Sequence, residues 1–261
     1  MSADLYACVH AAEFPAQALL RLRTDLASTA VAVLEGRAPL ELTDWVWQPD
    51  NPITDKFGYV EGQKPISPGS VVMLIVENSS KNGNLLLNIS PRADGTIPQE
   101  QQDVLLAIGK WLEVNGEAIY STRPWTKYGE GPVADAAAAA MVKIRAAGNF
   151  AGRTNGQNMG GTGVSGGGIS RNGYTPADIR FTTHGNTLYA TVMSWPGDAP
   201  VTIASLAKGA PVQGNVKKVE LLGHAGPLKF TQDADGLKVI FPTEKPCDFV
   251  YALKITGLKL T

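Results

Sequence analysis

Residues Ser79 to Pro98 read SSKNGNLLLNISPRADGTIP, and the order of parts in this stretch decides how the surrounding chain is folded. Asn82 and Gly83 make a turn, Leu85 to Ile89 is a short apolar run with strand character, Asp94 and Gly95 make a second turn, and Pro98 suits a helix start. The helix that follows is marked by Val104, Leu105, Ile108, Trp111 and Leu112, which recur at helical spacing up to Asn115 and Gly116. That face is expected to pack on a sheet and to leave Gln101, Lys110 and Glu113 in water. Upstream, Ser67 to Val76 reads as a helix with Pro68 at its first position and Val72, Ile75 and Val76 on one side. A near-continuous apolar strand between two amphipathic helices is the pattern of a parallel α/β layer, in which strands are covered on both faces.

The same alternation extends toward the N-terminus. Leu5 to Ala12 has helical spacing, Ala18 to Leu22 is a short apolar run, and a second run, Thr29 to Leu34, stops at Glu35 and Gly36. Beyond Pro132 the composition changes. Ala136 to Ile144 suits a short helix, and Gly148 to Gly173 is rich in Gly, Asn, Ser and Thr with few apolar residues. After it come Ile179 to Thr183, Thr187 to Met193, Val201 to Ala204, Val216 to Leu222, Leu237 to Phe241 and Phe249 to Ile255, separated by turn residues. Short strands at such intervals are the signature of an antiparallel sandwich. The expected organisation is therefore an α/β part over residues 1–132, a Gly-rich linker or insertion over 133–175, and a β-sandwich over 176–261.

Composition narrows the function. The chain has 261 residues, 44% of them hydrophobic and 18% charged, with a net charge of -1. Nothing gathers nucleic acid, since no dense Lys/Arg run breaks that balance. No apolar run reaches the length of a membrane span, and Asp4, His10 and Glu13 interrupt the N-terminus where a signal peptide needs an unbroken apolar core. Cys8 and Cys247 lie at opposite ends and form no metal-ligand spacing, and His10, His184 and His224 have no helical partner, so no metal or other cofactor is expected. Gly161-Thr-Gly163-Val-Ser-Gly166 satisfies a dinucleotide-binding string, but no strand precedes it and no helix follows. Asn88 heads a glycosylation string, Asn88-Ile-Ser90, that falls in the apolar strand.

Carboxylates remain. Glycoside hydrolysis uses two, one attacking or activating water and one protonating the leaving oxygen. Glu35 ends an apolar run, and in parallel barrels working residues sit at the carboxyl ends of strands. Asp44, Asp50 and Asp55 flank Trp45, Trp47, Phe57 and Tyr59, a set of rings on which sugar faces can stack. The alternative is a rim loop with solvated acids and rings that belong to the core.

Several stretches resemble the family 29 glycoside hydrolases, the α-L-fucosidases. These are the opening segment, Trp47-Gln48-Pro49-Asp50 with Lys56-Phe57-Gly58-Tyr59, Asn115-Gly116-Glu117-Ala118-Ile119-Tyr120, Thr122-Arg123-Pro124-Trp125, and Tyr128-Gly129-Glu130-Gly131-Pro132. Asp178-Ile179-Arg180-Phe181-Thr182, Leu188-Tyr189-Ala190 and Trp195-Pro196 are similar to the C-terminal sandwich of the same enzymes.

The resemblance implies the C-terminal half of a (β/α)8 barrel followed by a β-sandwich, acting on α-L-fucose at the ends of fucosylated glycans by a retaining mechanism. It implies Glu35 as acid/base and Arg23, Trp47 and Phe57 as substrate-binding residues, with Phe57 against the sugar's methyl group. The family's nucleophile lies in a W-F-D-G strand that has no match here, so Met1 is expected to fall downstream of it. A stand-alone enzyme then needs another nucleophile, Asp44 or Asp50. The alternatives are a catalytically inactive carbohydrate-binding or structural remnant, and assembly with a complementary chain or with further copies of this one.

Overall fold

The computed structural model describes residues 31–35, 38–146 and 173–260. Its first unit is a parallel sheet of β1 (Ala32–Glu35), β2 (Trp47–Pro52) and β3 (Leu86–Asn88), in that spatial order. Helix α1 (Pro68–Ser80) joins β2 to β3, and α2 (Gln99–Asn115) follows β3. The helix starts obey local chemistry. Ser67 caps α1 by accepting the Ser70 N–H on its hydroxyl, and Pro68 takes a position where a missing N–H costs nothing.

The β2 strand has no periodic apolar signal, because WQPDNP holds two prolines and two poor strand formers. It forms because partners on both sides, β1 and β3, supply parallel pairing, and because Trp47 at its start is fully buried. Register then divides the sheet. Val33 pairs with Gln48, Glu35 with Asp50, and Asp50 with Leu86 on one face; Trp47, Pro49, Asn51 and Leu87 lie on the other.

That second face packs on α1 and α2 through Leu87, Val71, Val76, Val104, Ile108 and Trp111. The first face is open, with Val33 54% and Leu86 47% exposed. The expectation that Leu85 to Ile89 is covered on both sides is thus corrected: among the described residues β3 is an edge strand, and Leu86 on its outer face stands in solvent. Gln101, expected in water, is buried. Its side chain accepts the Ser90 N–H and donates to the Ser90 carbonyl, so it satisfies the backbone of the turn leaving β3.

The second unit is a sandwich. Strands β4 (Arg123–Glu130), β5 (Ile179–His184), β6 (Thr187–Val192), β7 (Val201–Ile203), β8 (Gln213–Leu221), β9 (Phe230–Gln232), β10 (Leu237–Val239) and β11 (Tyr251–Lys259) form two antiparallel sheets. One runs β4-β5-β6-β11-β8 and the other β7-β10-β9. Arg123–Glu130 was expected within the α/β part, but it is the edge strand beside β5, with a register shift between Pro124 and Gly129 that hides its alternation in sequence. The segment after it is the helix α3 (Pro132–Ala146), longer than the expected Ala136 to Ile144. The G-x-G-x-x-G string lies outside the described residues.

Both faces of the central strands β5, β6 and β11 of the five-stranded sheet are buried for most of their length. The inner face carries Ile179, Phe181, Leu188, Ala190, Val192, Leu253 and Ile255 against the smaller sheet. The outer face carries Arg180, Thr182, Tyr189, Thr191 and Ala252, and these are buried against the α/β unit. The Trp111 indole N–H donates to the Val250 carbonyl at 2.9 Å, and the Thr182 hydroxyl donates to the Ala118 carbonyl at 2.7 Å.

At the centre of this contact Glu77 of α1 takes the Arg180 guanidinium Nε on one oxygen and the Lys81 ammonium, at 2.9 Å, on the other. All three side chains are at most 5% exposed. The Tyr128 ring lies under both cations, 4.7 Å from Lys81 Nζ and 5.5 Å from Arg180 Cζ. Burial alone would raise the Glu77 pKa, but the charges and hydrogen bonds of Arg180 and Lys81 outweigh it and hold the carboxyl down to about 2. Lys81 is the less comfortable cation: burial lowers its pKa, the Arg180 charge lowers it further, and Glu77 opposes both.

Removing the anion leaves two buried cations facing each other. Glu77→Gln should therefore cost about 3–5 kcal/mol, and Lys81→Met much less, since one carboxylate then meets one cation. Chemical denaturation at neutral pH measures both. The Glu77 contribution, about 3 kcal/mol for a carboxyl whose pKa falls from 4.5 to about 2, is complete above pH 4.5 and lost as pH falls toward 2. An acid-stability profile of wild type that fails to steepen relative to Glu77→Gln over that window would contradict the assignment.

Candidate active site

In a parallel sheet the carboxyl ends of the strands and the loops after them are where ligands meet the fold. Three chain segments reach that edge. β1 ends at Glu35, β2 ends with Asp50, Asn51 and Pro52, and β3 ends at Asn88. Glu35 is paired with Asp50 in register, so two carboxylate-bearing positions adjoin on neighbouring strands at this end. Neighbouring strands lie about 4.8 Å apart. Asp50 is half-buried.

The loop after β2 is fastened to the end of β3. The Ile53 N–H donates to the Asn88 carbonyl and the Ile66 N–H to the Ile53 carbonyl, each at 2.8 Å, which closes the loop at its base. Its far side is fixed through the Phe57 carbonyl, which accepts the Asn88 side-chain N–H at 2.8 Å and the Ser90 hydroxyl at 3.3 Å. With the Phe57 backbone held in this way, its ring stands 54% exposed, beside Tyr59 at 40%.

Trp47 is placed differently. It is fully buried, and its indole N–H donates to the Lys81 carbonyl at 3.1 Å. Its ring lies so close to Gly83 that a Cβ there would sit 2.5 Å from two indole carbons. Trp47 is therefore a support beneath the strand, not a surface for a sugar. Arg23 lies outside the described residues, and of Glu35 only the backbone position is described. Asp44 and Asp55 are exposed, and Asp55 accepts the Gln63 side-chain N–H at 2.6 Å within its own loop.

The sequence reading passed over Asn88 and Ser90, whose side chains hold Phe57. Their signal was present as polar residues ending an apolar strand, but that pattern is shared with any strand exit. The histidines that are described, His184 and His224, are exposed. Among the described residues no group of three His, Cys, Asp or Glu could hold a metal ion, and no helix is long and apolar enough to cross a membrane.

A parallel α/β sheet with acids and aromatics at its carboxyl edge, backed by an antiparallel sandwich, defines a two-part α/β-plus-β architecture. Residues 15–117 match the family model for alpha-L-fucosidase, and residues 171–256 match the model for the alpha-L-fucosidase C-terminal domain. The tissue alpha-L-fucosidase of Homo sapiens is 27% identical over 231 residues, which are 85% of this chain and 39% of that protein. The alpha-L-fucosidase of Branchiostoma floridae is 26% identical over 193 residues, 72% of this chain and 32% of that one. Among solved structures, the family 29 alpha-L-fucosidase of Bacteroides thetaiotaomicron superposes with a TM-score of 0.59 at 19% identity, covering 87% of this chain and 42% of that one. Thermotoga maritima alpha-fucosidase, solved in complex with fucose, gives 0.56 at 24%, covering 83% and 40%. The chain belongs to the α-L-fucosidase family, and it spans about a third to two fifths of the length of the curated relatives it matches.

The Trp47 contacts predict a graded response. Trp47→Phe keeps the ring volume in part and loses the bond to Lys81, whose carbonyl then keeps only its bonds from Thr43, at a cost of about 1–3 kcal/mol, because a buried hydrogen bond is lost and space is opened. Gly83→Ala should destabilise by a similar amount through the collision with the indole. In the double variant Trp47→Phe/Gly83→Ala the smaller ring relieves part of that collision, so thermal denaturation should show less than the sum of the two single losses.

Proposed function

We propose that this chain carries the acid/base side of an α-L-fucosidase active site, removing terminal α-L-fucose from glycans with retention of configuration. The observation that carries the proposal is the register pairing of Glu35 with Asp50 at the carboxyl ends of two adjacent parallel strands, with the exposed Phe57 ring in the loop that follows β2. Retaining glycosidases need two carboxyl groups about 5 Å apart, and neighbouring strands supply that spacing.

In this reading Glu35 donates a proton to the glycosidic oxygen as the bond from that oxygen to the anomeric carbon breaks. A carboxylate attacks the anomeric carbon to form a glycosyl ester, and Asp50 is its candidate within this chain. Water then displaces the ester with its proton passing to Glu35, which restores both groups. Phe57 supplies an apolar wall for the methyl group of the sugar. Trp47 is removed from the substrate-binding set and given the role of holding β2. For organisation, we place the barrel part before Arg123 and assign β4 and all that follows to the supporting sandwich.

A second reading, a carbohydrate-binding remnant without turnover, is favoured by the open face of the sheet, where Val33 and Leu86 stand in solvent. The test is hydrolysis of a chromogenic α-L-fucoside by the full chain, with Glu35→Gln and Asp50→Asn. Turnover that falls by at least a hundredfold in both variants, and recovers in Asp50→Gly when azide replaces the nucleophile, supports the enzyme. Binding of the fucoside without turnover, equal in all three proteins, supports the remnant.

A further inference from the structure

Four residues beyond the end of β3, Arg92 stands exposed at the same carboxyl edge of the sheet, with its guanidinium carbon 5.6 Å from the centre of the Tyr59 ring. The two belong to different loops, and both loops are anchored. Tyr59 lies two residues from the Phe57 carbonyl that Asn88 and Ser90 hold. Arg92 sits at the base of a closed turn: its N–H donates to the Thr96 carbonyl at 2.8 Å and its own carbonyl accepts the Gly95 N–H at 2.9 Å. Asp94 stiffens that turn by accepting both the N–H and the hydroxyl of Thr96.

The guanidinium itself is hardly used. Its one hydrogen bond is a long one, from Nη1 to the Thr96 hydroxyl at 3.5 Å, and among the described residues no carboxylate forms an ion pair with it. A guanidinium has five N–H donors in a planar fork suited to an oxyanion, and among the described residues one of them is in a hydrogen bond, while Asp94 is near enough to feel the charge without forming an ion pair. Stacking on Tyr59 fixes the plane of that fork without occupying it. The exposed rings of Phe57 and Tyr59, two residues apart in one loop, offer apolar surface for a sugar.

We propose that Arg92 and Tyr59 form a subsite for an anionic saccharide, one bearing a sulfate or a carboxylate, on the leaving-group side of the carboxylate pair. The proposal deepens the fucosidase reading by naming the class of sugar to which the fucose is attached. The oxyanion takes the guanidinium in bidentate fashion and the sugar ring lies along the Phe57 and Tyr59 edge, so Arg92 acts as a specificity-determining residue.

The full chain is titrated by ligand-observed NMR with glucose 6-sulfate against glucose, and with methyl glucuronide against methyl glucoside. Wild type should prefer the anionic sugar of each pair by about tenfold, and Arg92→Ala and Tyr59→Ala should each bring the ratio close to one. Arg92→Lys should keep only part of it, because an ammonium lacks the fork. A preference for the sulfate alone or for the carboxylate alone, lost in Arg92→Ala, supports the subsite and identifies its anion. Equal affinity for charged and neutral sugars in wild type, or a preference that survives Arg92→Ala, overturns it. Because none of these ligands contains fucose, the result is independent of the chromogenic fucoside: a chain that binds glucose 6-sulfate through Arg92 and ignores the fucoside keeps this subsite and loses the fucosidase reading.

Discussion

The contact among Glu77, Arg180 and Lys81 is the constraint on which the arrangement of the two units depends. A carboxylate and two cations lie buried between a helix of the α/β unit and a strand of the sandwich, where an ion left alone would cost several kcal/mol. Each partner is tolerable only while the other unit is docked. The pair therefore adds orientation to an interface that apolar contacts such as Val250 and Phe249 with Trp111 and Val72 would otherwise hold less specifically. Lys81 carries the effect onward. Its side chain belongs to the cluster, and its backbone carbonyl accepts the Trp47 indole and the Thr43 hydroxyl. The sandwich thereby reaches, through one helix end, the strand that carries Asp50.

Legibility in sequence followed the periodic elements. The helices α1 and α2 announced themselves by apolar spacing and by Pro68 and Pro98, and six sandwich strands by short β-rich runs between turns. The elements missed were those formed by partners. β2 reads WQPDNP and is a strand because β1 and β3 flank it; β4 carries a register shift; β9 is three residues long. Alternation in β5 and β6 was visible, but alternation alone assigns the polar side to water. Here Arg180 meets Glu77 of α1, Thr182 donates to the Ala118 carbonyl and Thr191 is buried beside them, and nothing within β5 or β6 says so.

The site was legible in residue type and less so in role. Glu35 and Phe57 stood out because one ended an apolar run and the other lay in an aromatic group, and the structure puts both at the carboxyl edge. Trp47 stood out by the same aromatic criterion and is buried. Sequence cannot separate a ring that supports a strand from a ring that faces a sugar, since both need flat apolar area. The discriminating partner was Gly83, which leaves room for the indole and was legible only as a turn residue.

That relation gives the stretch from Ser79 to Pro98 a mechanical meaning. Lys81 grips Trp47 through its carbonyl, Gly83 makes space for the indole, Asn88 and Ser90 fix the Phe57 carbonyl, and Arg92 rests on Tyr59. One continuous segment thus touches β2 at its start and the loop after β2 at its far end. A strand as short as β3 could not align that loop by pairing alone, because only Asp50, Asn51 and Pro52 register with it. Side-chain bonds from Asn88 at the end of β3 and from Ser90 just beyond it supply the missing constraint. A segment that contributes no acid or base can in this way decide where the acid-bearing strand and the aromatic loop stand relative to each other.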